Sequence, residues 1–211
     1  MNLNYFDISP ALSSETAVFP GDTPFSKKTV CNFEEQTPYL VSCIQSTVHI
    51  GAHTDAPNHY HKDGASIDER PLDYYLGTAQ VLSVNLKPES RITPKDIEGV
   101  EILAERILFK TNSFPNPNRW NADFNALSPE LITYLAKKNV KLVGIDTPSV
   151  DLANDTELKT HHAIYKHDLA ILEGILLNHV PDGIYTLIAL PLKIKGADAS
   201  PVRAILLKDD G

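Results

Sequence analysis

Short stretches of β-branched and aliphatic residues, separated by proline, glycine and polar clusters, recur along this chain. Stretches of this length and composition are typical of β-strands. The fifteen prolines of the chain fall mainly between them and mark turns and loops. The pattern predicts six strands, at residues 41–50, 78–86, 106–111, 141–146, 183–190 and 202–208.

Helical signals are fewer. Ser128 is placed to cap a helix that has Pro129 and Glu130 in its first turn and that ends near Asn139. A second start signal, T-P-K-D, lies at residues 93–96. Many strands with few helices predict an α/β or mixed β architecture rather than a helical bundle or a Rossmann repeat. We find no internal repeat or long linker, so we expect one domain over residues 1–211.

Composition narrows the classes of partner. The 211 residues carry a formal net charge of −8 and no run rich in lysine or arginine, so we expect neither nucleic acid nor a membrane as a partner. The first residues lack the basic and apolar stretches of a signal peptide. We therefore expect a soluble, cytoplasmic protein in which Cys31 and Cys43 are free thiols.

Residues 48–61 read V-H-I-G-A-H-T-D-A-P-N-H-Y-H and concentrate the candidate chemistry of the chain. Imidazole nitrogens and carboxylate oxygens are the ligands of Zn²⁺ and similar divalent ions. For any single histidine, a solvated or backbone-bonded side chain is the simpler interpretation. For the whole cluster we favour a metal site, formed from His49, His53, Asp55, His59 and His61.

The local backbone of this segment is predicted to be extended. Gly51 lies between His49 and His53, and Pro57 follows soon after, so a helix is disfavoured. Residues two apart in an extended chain share a face, which places His53 and Asp55 on the same side. Gly51 would allow the chain to turn His49 inward.

A second group of candidate ligands lies more than a hundred residues downstream. His161 and His162 are adjacent, His167 follows, and Glu173 interrupts the otherwise apolar run 169–177. A carboxylate in such a run either faces solvent or meets a partner, because unpaired burial costs several kcal/mol. The residues alone leave both possibilities open for Glu173.

The first cluster resembles the signature H-x-G-T-H-x-D-x-P-x-H of the cyclase family of metal-dependent hydrolases, with Ala52 in place of threonine. Within that family the chain is most similar to the bacterial kynurenine formamidases. The similarity extends over almost the whole chain and includes D-I-S-P at 7–10, F-P-G-D-T-P at 19–24, P-L-D-Y-Y-L-G at 71–77, G-I-D-T-P-S-V-D at 144–151, H-H-A-I at 161–164, A-I-L-E-G-I at 170–175 and D-A-S-P-V-R-A at 198–204. The implied fold is the swivelling β/β/α fold of that family, rich in strands and crossed by a few helices.

The resemblance implies two divalent ions per subunit, with zinc as the first candidate and manganese as the alternative. One ion would be bound by His49, His53 and Asp55. The second would be bound by His161, with Asp55 and Glu173 bridging the two. It also implies a homodimer.

The resemblance further assigns two roles outside the ligand set. His59 would transfer protons, and Phe19 would contact a small-molecule substrate at a position where the formamidases usually have tryptophan. The remaining histidines match no ligand position: His61, His162, His167 and His179.

The implied reaction is hydrolysis of N-formyl-L-kynurenine to L-kynurenine and formate, in which a water activated by the two ions attacks the formyl carbon. An alternative is a sister hydrolase that acts on another aryl or cyclic amide, such as an isatin hydrolase-like enzyme. A third hypothesis is a metal-binding protein without activity. The chain contains no G-x-S-x-G motif, which disfavours serine-hydrolase chemistry.

Overall fold

The computed structural model describes residues 4–33 and 37–208. These residues form two α-helices, α1 (Pro129–Ala136) and α2 (Lys159–His167). They also form thirteen strands: β1 (Tyr5–Asp7), β2 (Ser26–Cys31), β3 (Val41–Gln45), β4 (His53–Asp55), β5 (Leu76–Ser83), β6 (Arg91–Ile92), β7 (Arg106–Lys110), β8 (Ala126–Leu127), β9 (Leu142–Ile145), β10 (Ala170–Leu172), β11 (Gly183–Ile188), β12 (Ala199–Pro201) and β13 (Ile205–Leu207).

A seven-stranded mixed sheet organises the molecule. Its strand order is β1-β13-β11-β5-β7-β9-β10, antiparallel from β1 to β5 and parallel from β5 to β10. Three two-stranded sheets accompany it, formed by β4 with β12, β2 with β3, and β6 with β8. The expected fold class, a strand-rich α/β architecture with few helices, is confirmed.

The alternation of side chains along β7 divides the core in two. Ile107 and Phe109 pack on one face with α1 and α2, and Leu108 packs on the opposite face with residues of β5, β11 and β13. Because successive side chains of a strand point to opposite faces, one strand contributes to both clusters. The parallel half of the sheet is therefore covered on both sides, as its continuous apolar strands require.

Five of the six predicted strands are present with bounds shifted by up to three residues. The first, predicted at 41–50, ends at Gln45, because residues 46–52 form bends that lead into the first histidine cluster. The predicted helix is α1, whose cap Ser128 accepts a hydrogen bond from the backbone nitrogen of Leu131 at 3.1 Å. At the second start signal, Thr93 and Asp96 form a capping box on the 3₁₀ turn Pro94–Ile97.

Helix α2 was not predicted from the sequence. It begins after Leu158, which lies in the left-handed region at φ 49°. The apolar side chain of Leu158 makes no capping hydrogen bond. The usual start signals are thus absent from its own sequence. No helix among the described residues is long and apolar enough to span a membrane, and Cys31 and Cys43 are free thiols.

Candidate metal centre

The short strand β4 carries the first candidate ligands. It pairs with β12 and also bridges to Glu173, directly after β10, through His53 N to Glu173 O at 3.1 Å and Glu173 N to His53 O at 2.9 Å. The extended backbone places His53 and Asp55 on one side of the strand, as the sequence predicted. Backbone hydrogen bonds therefore join His53, from the first histidine cluster, to Glu173, from the second group of candidate ligands. Asp55 lies on the same short strand as His53.

Two glycines allow this close approach. Gly51 has φ +55° and Gly174 has φ +65°, a region that L-residues with side chains rarely adopt. A Cβ on Gly174 would lie 2.1 Å from the carbonyl oxygen of Gly51, closer than any side chain can be accommodated. Gly51 turns the chain so that His49 reaches the side chain of Asp55, as expected.

Helix α2 supplies His161 from its first turn. The side chain of His161 is buried, whereas His162 is exposed. On a helix, adjacent side chains point in different directions, about 100° apart. His162 therefore lies outside the cluster.

The other four residues assigned as metal ligands lie around the carboxylate of Asp55. His49 Nδ1 lies 2.9 Å from Asp55 Oδ1, and His53 Nε2 lies 3.5 Å from the same oxygen. His161 Nε2 lies 3.5 Å from Asp55 Oδ2. Glu173 completes the cluster, with Oε2 at 3.1 Å from His53 Nε2 and Oε1 at 3.9 Å from His161 Nε2. Glu173 is buried, so the alternative of a solvent-facing carboxylate was wrong.

Each of the three histidines has one ring nitrogen bound to an acceptor outside the cluster and directs the other nitrogen into it. This arrangement is common for metal-binding histidines, because the outer acceptor fixes the tautomer and the ring orientation. The outer contacts are His49 Nε2 with Asp198 Oδ2 at 2.9 Å, His53 Nδ1 with the Gly51 carbonyl at 2.9 Å, and His161 Nδ1 with Asp151 Oδ2 at 2.8 Å.

Two buried atoms inside the cluster, Nε2 of His53 and Oδ1 of Asp55, make no well-aligned hydrogen bond among the described residues, although Glu173 Oε2 and His49 Nδ1 lie 3.1 and 2.9 Å away. Buried polar atoms without partners are rare and costly in proteins. A divalent ion bound by nitrogen and oxygen donors would satisfy both atoms. Of the described residues, two groups have ligand atoms close enough to share an ion: His53, Asp55 and Glu173, and His49, Asp55 and His59. The donor set therefore fits divalent metal.

The comparisons with known proteins point the same way. Residues 6–152 match the model of the Cyclase family, described as "Putative cyclase". The chain belongs to this family. Among solved structures it resembles one described as a potential metal-dependent hydrolase with cyclase activity, at 28% identity and TM-score 0.84, covering 99% of this chain and 100% of the other.

Two further structures extend this comparison. A predicted metal-dependent hydrolase from Bacillus stearothermophilus is 27% identical at TM-score 0.83, over 98% of this chain and 99% of the other. Isatin hydrolase A from Labrenzia aggregata, bound to benzyl benzoate, is 24% identical at TM-score 0.81, over 97% and 93% of the two chains. The last shows the shared fold.

The electrostatics of this cyclase-family cluster favour charged imidazoles when no ion is bound. Burial opposes the charge of His49, but Asp55 and Asp198 outweigh it and raise its pKa to about 9. Burial likewise opposes the charge of His161, but Asp151 and Asp55 raise its pKa to about 10. Despite its own burial, Asp55 has a pKa held well below the usual range by its hydrogen bonds to His161 and His49 and by the nearby histidine charges.

These pKa values predict that metal uptake releases protons. At pH 7 His49 and His161 are protonated in the metal-free protein, and each must lose a proton to bind an ion. We expect release of at least two protons on full loading, because Glu173 and Asp55 also raise the pKa of His53 despite its burial. The affinity should fall about tenfold per pH unit for each proton displaced as the pH is lowered from 7 to 6. Calorimetric titration of chelator-treated protein in buffers of different ionisation enthalpy measures this number. Loading without proton release would show that these imidazoles are already neutral.

His59 lies at the edge of the cluster, on the 3₁₀ turn Pro57–His59. Its side chain is about one third exposed, its ring centroid lies 4.1 Å from that of His49, and its Nδ1 lies 3.7 Å from Asp198 Oδ2. Burial lowers the pKa of His59 below its ordinary value, against the opposing charge of Asp55. His59 is therefore neutral at pH 7 and able to accept a proton.

A cleft lined mainly by apolar side chains opens beside the cluster. His49 and His53 form one wall, and the rest consists of Phe19, Phe114 and other mainly apolar residues, together with Thr16 and Asp146. Phe19 packs edge-on against Trp120, the single tryptophan of the chain, with ring centroids 4.6 Å apart. The sequence prediction placed Phe19 here but missed Phe114 and Trp120, because the aromatic residues of the loop 112–124 show no periodic pattern.

The sequence analysis also missed the outer partners Asp151 and Asp198. Asp151 ends the G-I-D-T-P-S-V-D stretch and Asp198 begins D-A-S-P, so both lie in segments that carry the family resemblance. Three histidines without a ligand assignment lie elsewhere. His61 stacks on Tyr165, His167 contacts Thr133, and His179 contacts the carbonyl oxygen of Asp7.

Proposed function

We propose that this cyclase-family protein hydrolyses N-formyl-L-kynurenine to L-kynurenine and formate, using two divalent ions bound by the ligand set built around Asp55. Zinc is the first candidate and manganese the alternative. The observation that carries the proposal is the direct opening of the histidine and carboxylate cluster into a cleft that contains Phe19 and Phe114. The cleft has a free volume of about 30 Å³, so an aryl ring would enter by displacing side chains of the lining and would then place an attached amide against His49 and His53.

A divalent ion bound at such a site lowers the pKa of water toward neutrality and polarises a carbonyl group. The protein's own residues supply the remaining chemistry. Neutral His59 accepts a proton from the attacking water and returns it to the aryl nitrogen as that nitrogen leaves. General acid–base catalysis of this kind contributes about 10²–10⁴-fold.

The bonds balance without a further reactant. Water oxygen forms a bond to the formyl carbon, and the bond between that carbon and the aryl nitrogen breaks. One proton of the water passes through His59 to the amine. The other proton is released to solvent as formic acid ionises, so formate and the free aryl amine are the products.

A sister activity on a compact cyclic amide such as isatin is the second candidate. One observation favours it: no lysine or arginine is among the described residues that line the cleft. The amino-acid end of N-formyl-L-kynurenine carries a carboxylate that gains from such a partner, whereas isatin does not. In our proposal that end lies at the open mouth of the cleft.

Three substrates separate the two activities. We expect kcat/KM to be highest for N-formyl-L-kynurenine, lower for formanilide, which lacks the amino-acid end, and lowest for isatin. Phe19→Trp is a matched probe of the cleft, because it restores the aromatic residue usual in the formamidases. A preference for isatin over both open-chain formamides would replace the proposed function with the second candidate.

We further propose that the protein is a homodimer whose interface includes the two-stranded sheet of β2 and β3. Six large apolar residues on or beside this hairpin are exposed: Val30, Phe33, Tyr39, Leu40, Val41 and Ile44. An isolated two-stranded sheet is marginally stable in water, and concentrated apolar exposure is typical of an interaction surface. A second copy of the chain would cover it.

Ile44→Asp tests the dimer. This residue is 69% exposed, so the substitution costs little in the monomer but introduces a charge into the proposed interface. Sedimentation velocity should find a dimer for the wild type and a monomer for Ile44→Asp. Leu103→Asp, at another exposed leucine, is the control and should remain dimeric. A monomeric wild type, or a dimer that Ile44→Asp leaves intact, would contradict the proposed interface.

A further inference from the structure

A partly buried arginine, with 21% of its side chain exposed, lies behind the His161 end of the cluster. Arg91, on β6, donates through Nη1 to Asp151 Oδ1 at 2.7 Å, to Thr160 Oγ1 at 2.8 Å and to the Leu127 carbonyl at 2.7 Å. Its Nη2 donates to Asp155. One guanidinium thus connects β8, the loop 151–155 and the first turn of α2.

Asp151 transmits this contact to the candidate ligand. Its Oδ2 accepts hydrogen bonds from the backbone nitrogens of Thr160 and His161, at 3.0 and 3.1 Å, and from His161 Nδ1 at 2.8 Å. Because Leu158 provides no cap, Asp151, in the loop that leads into α2, supplies the acceptor and the negative charge that a helix start favours. The same carboxylate fixes both the start of α2 and the ring orientation of His161.

The carboxylate of Asp151 is almost completely buried, with 1% of its side chain exposed. A buried carboxylate without a cation is costly, and Arg91 carries a permanent charge at ion-pair distance. The planar guanidinium also fixes direction, because Nη1 donates to Asp151 while Nη2 donates to a second carboxylate, Asp155. Asp151 therefore keeps its position whether or not His161 is charged.

We propose that Arg91 is a positioning residue for the ion bound by His161, acting through Asp151 to hold Nε2 of His161 toward Asp55 and Glu173. The inference rests on the proposed two-ion function, but it concerns metal affinity rather than substrate. Loss of Arg91 should weaken one ion selectively. Outer partners of metal-binding histidines typically contribute about 10–100-fold to affinity.

The experiment measures Zn²⁺ affinity and ions per chain on chelator-treated, full-length protein, by competition with a chromophoric chelator. Arg91→Met should weaken one of two Zn²⁺ ions by about 10–100-fold and leave the other unchanged. Arg91→Lys, which keeps the charge but loses the fork, should give an intermediate loss. Thermal unfolding of each metal-free variant shows whether it folds, and Arg91→Lys keeps the test possible if Arg91→Met does not.

Two control variants distinguish a specific effect on the position of His161 from a general weakening of the structure around it. Thr160→Val removes a hydroxyl that Arg91 contacts in the same helical turn but leaves the Arg91–Asp151–His161 chain intact, so both ions should bind as in the wild type. Arg203→Met removes a surface arginine paired with Asp7 and should have no effect. In a His161→Ala background, Arg91→Met should cause no further loss, because the residue through which it acts is gone.

Several results would overturn the inference. These are unchanged Zn²⁺ affinities in Arg91→Met, equal weakening of both ions, the same loss in Thr160→Val, or an additive loss in the His161→Ala background. A wild type that binds two ions but does not hydrolyse N-formyl-L-kynurenine would instead refute the proposed function. In that case the Zn²⁺ affinities of the Arg91 variants would still test the positioning role, because they do not depend on the substrate.

Discussion

Asp55→Asn is expected to abolish hydrolysis and to reduce bound metal to less than one ion per chain. Among the residues that the structure describes, Asp55 is the one carboxylate within 3.5 Å of all three candidate histidine ligands, so every proposed ion depends on it. The amide keeps the shape but loses the negative charge. Since bound metal supplies several kcal/mol of transition-state stabilisation, turnover should fall by about 10³-fold or more. Elemental analysis and a turnover assay on the same sample measure both effects.

Asp182→Asn is the matched control for this substitution. Asp182 is a half-exposed carboxylate bound to Ser83 and Lys110, outside the cluster. The same chemical change there should leave metal content and turnover at wild-type levels. An Asp55→Asn protein that retains two ions would show that the ligands do not converge on this carboxylate.

His59→Ala is expected to lower kcat by about 10²–10⁴-fold while metal content stays at the wild-type level. The physical reason is the exposure of its ring at the edge of the cluster and its lowered pKa, which suit a proton-transfer residue. The measurement pairs kcat with ions per chain. A fall in kcat at unchanged metal content would assign His59 to proton transfer, because loss of a ligand would lower both quantities.

His61→Ala is the control, because His61 follows two residues later but stacks on Tyr165 and contacts no candidate ligand. It should retain both activity and metal. The geometry also places His59 near enough to His49 and Asp55 to share an ion. Loss of one ion in His59→Ala, in parallel with activity, would therefore reassign His59 as a ligand.

The sequence predicted those parts of the site that depend on local pattern. His53 and Asp55 share a strand face because extended backbone alternates, and Gly51 permits the turn that His49 needs. The strands of the main sheet followed from their apolar runs. In these cases the physical cause acts within a few residues, so a single sequence contains it.

The unpredicted parts depend on distant contacts. Helix α2 has no capping side chain at Leu158, and the backbone nitrogen of Thr160 bonds instead to Asp151, farther back in the preceding loop than a local start signal extends. The burial of Glu173 follows from its bridge to His53, more than a hundred residues earlier. Asp198 likewise reaches His49 only through the pairing of β12 with β4. The ligand residues were assigned from the family resemblance. The acceptors of their outer ring nitrogens could be identified only from the folded structure.

The measurement that tests the central claim most directly is hydrolysis of N-formyl-L-kynurenine by the purified protein, before and after chelation and during stepwise return of Zn²⁺ or Mn²⁺. We predict turnover that chelation abolishes and that returns in proportion to metal, up to two ions per chain. A protein that holds two ions and leaves this substrate intact, or one that hydrolyses it equally well after complete removal of metal, would contradict the account.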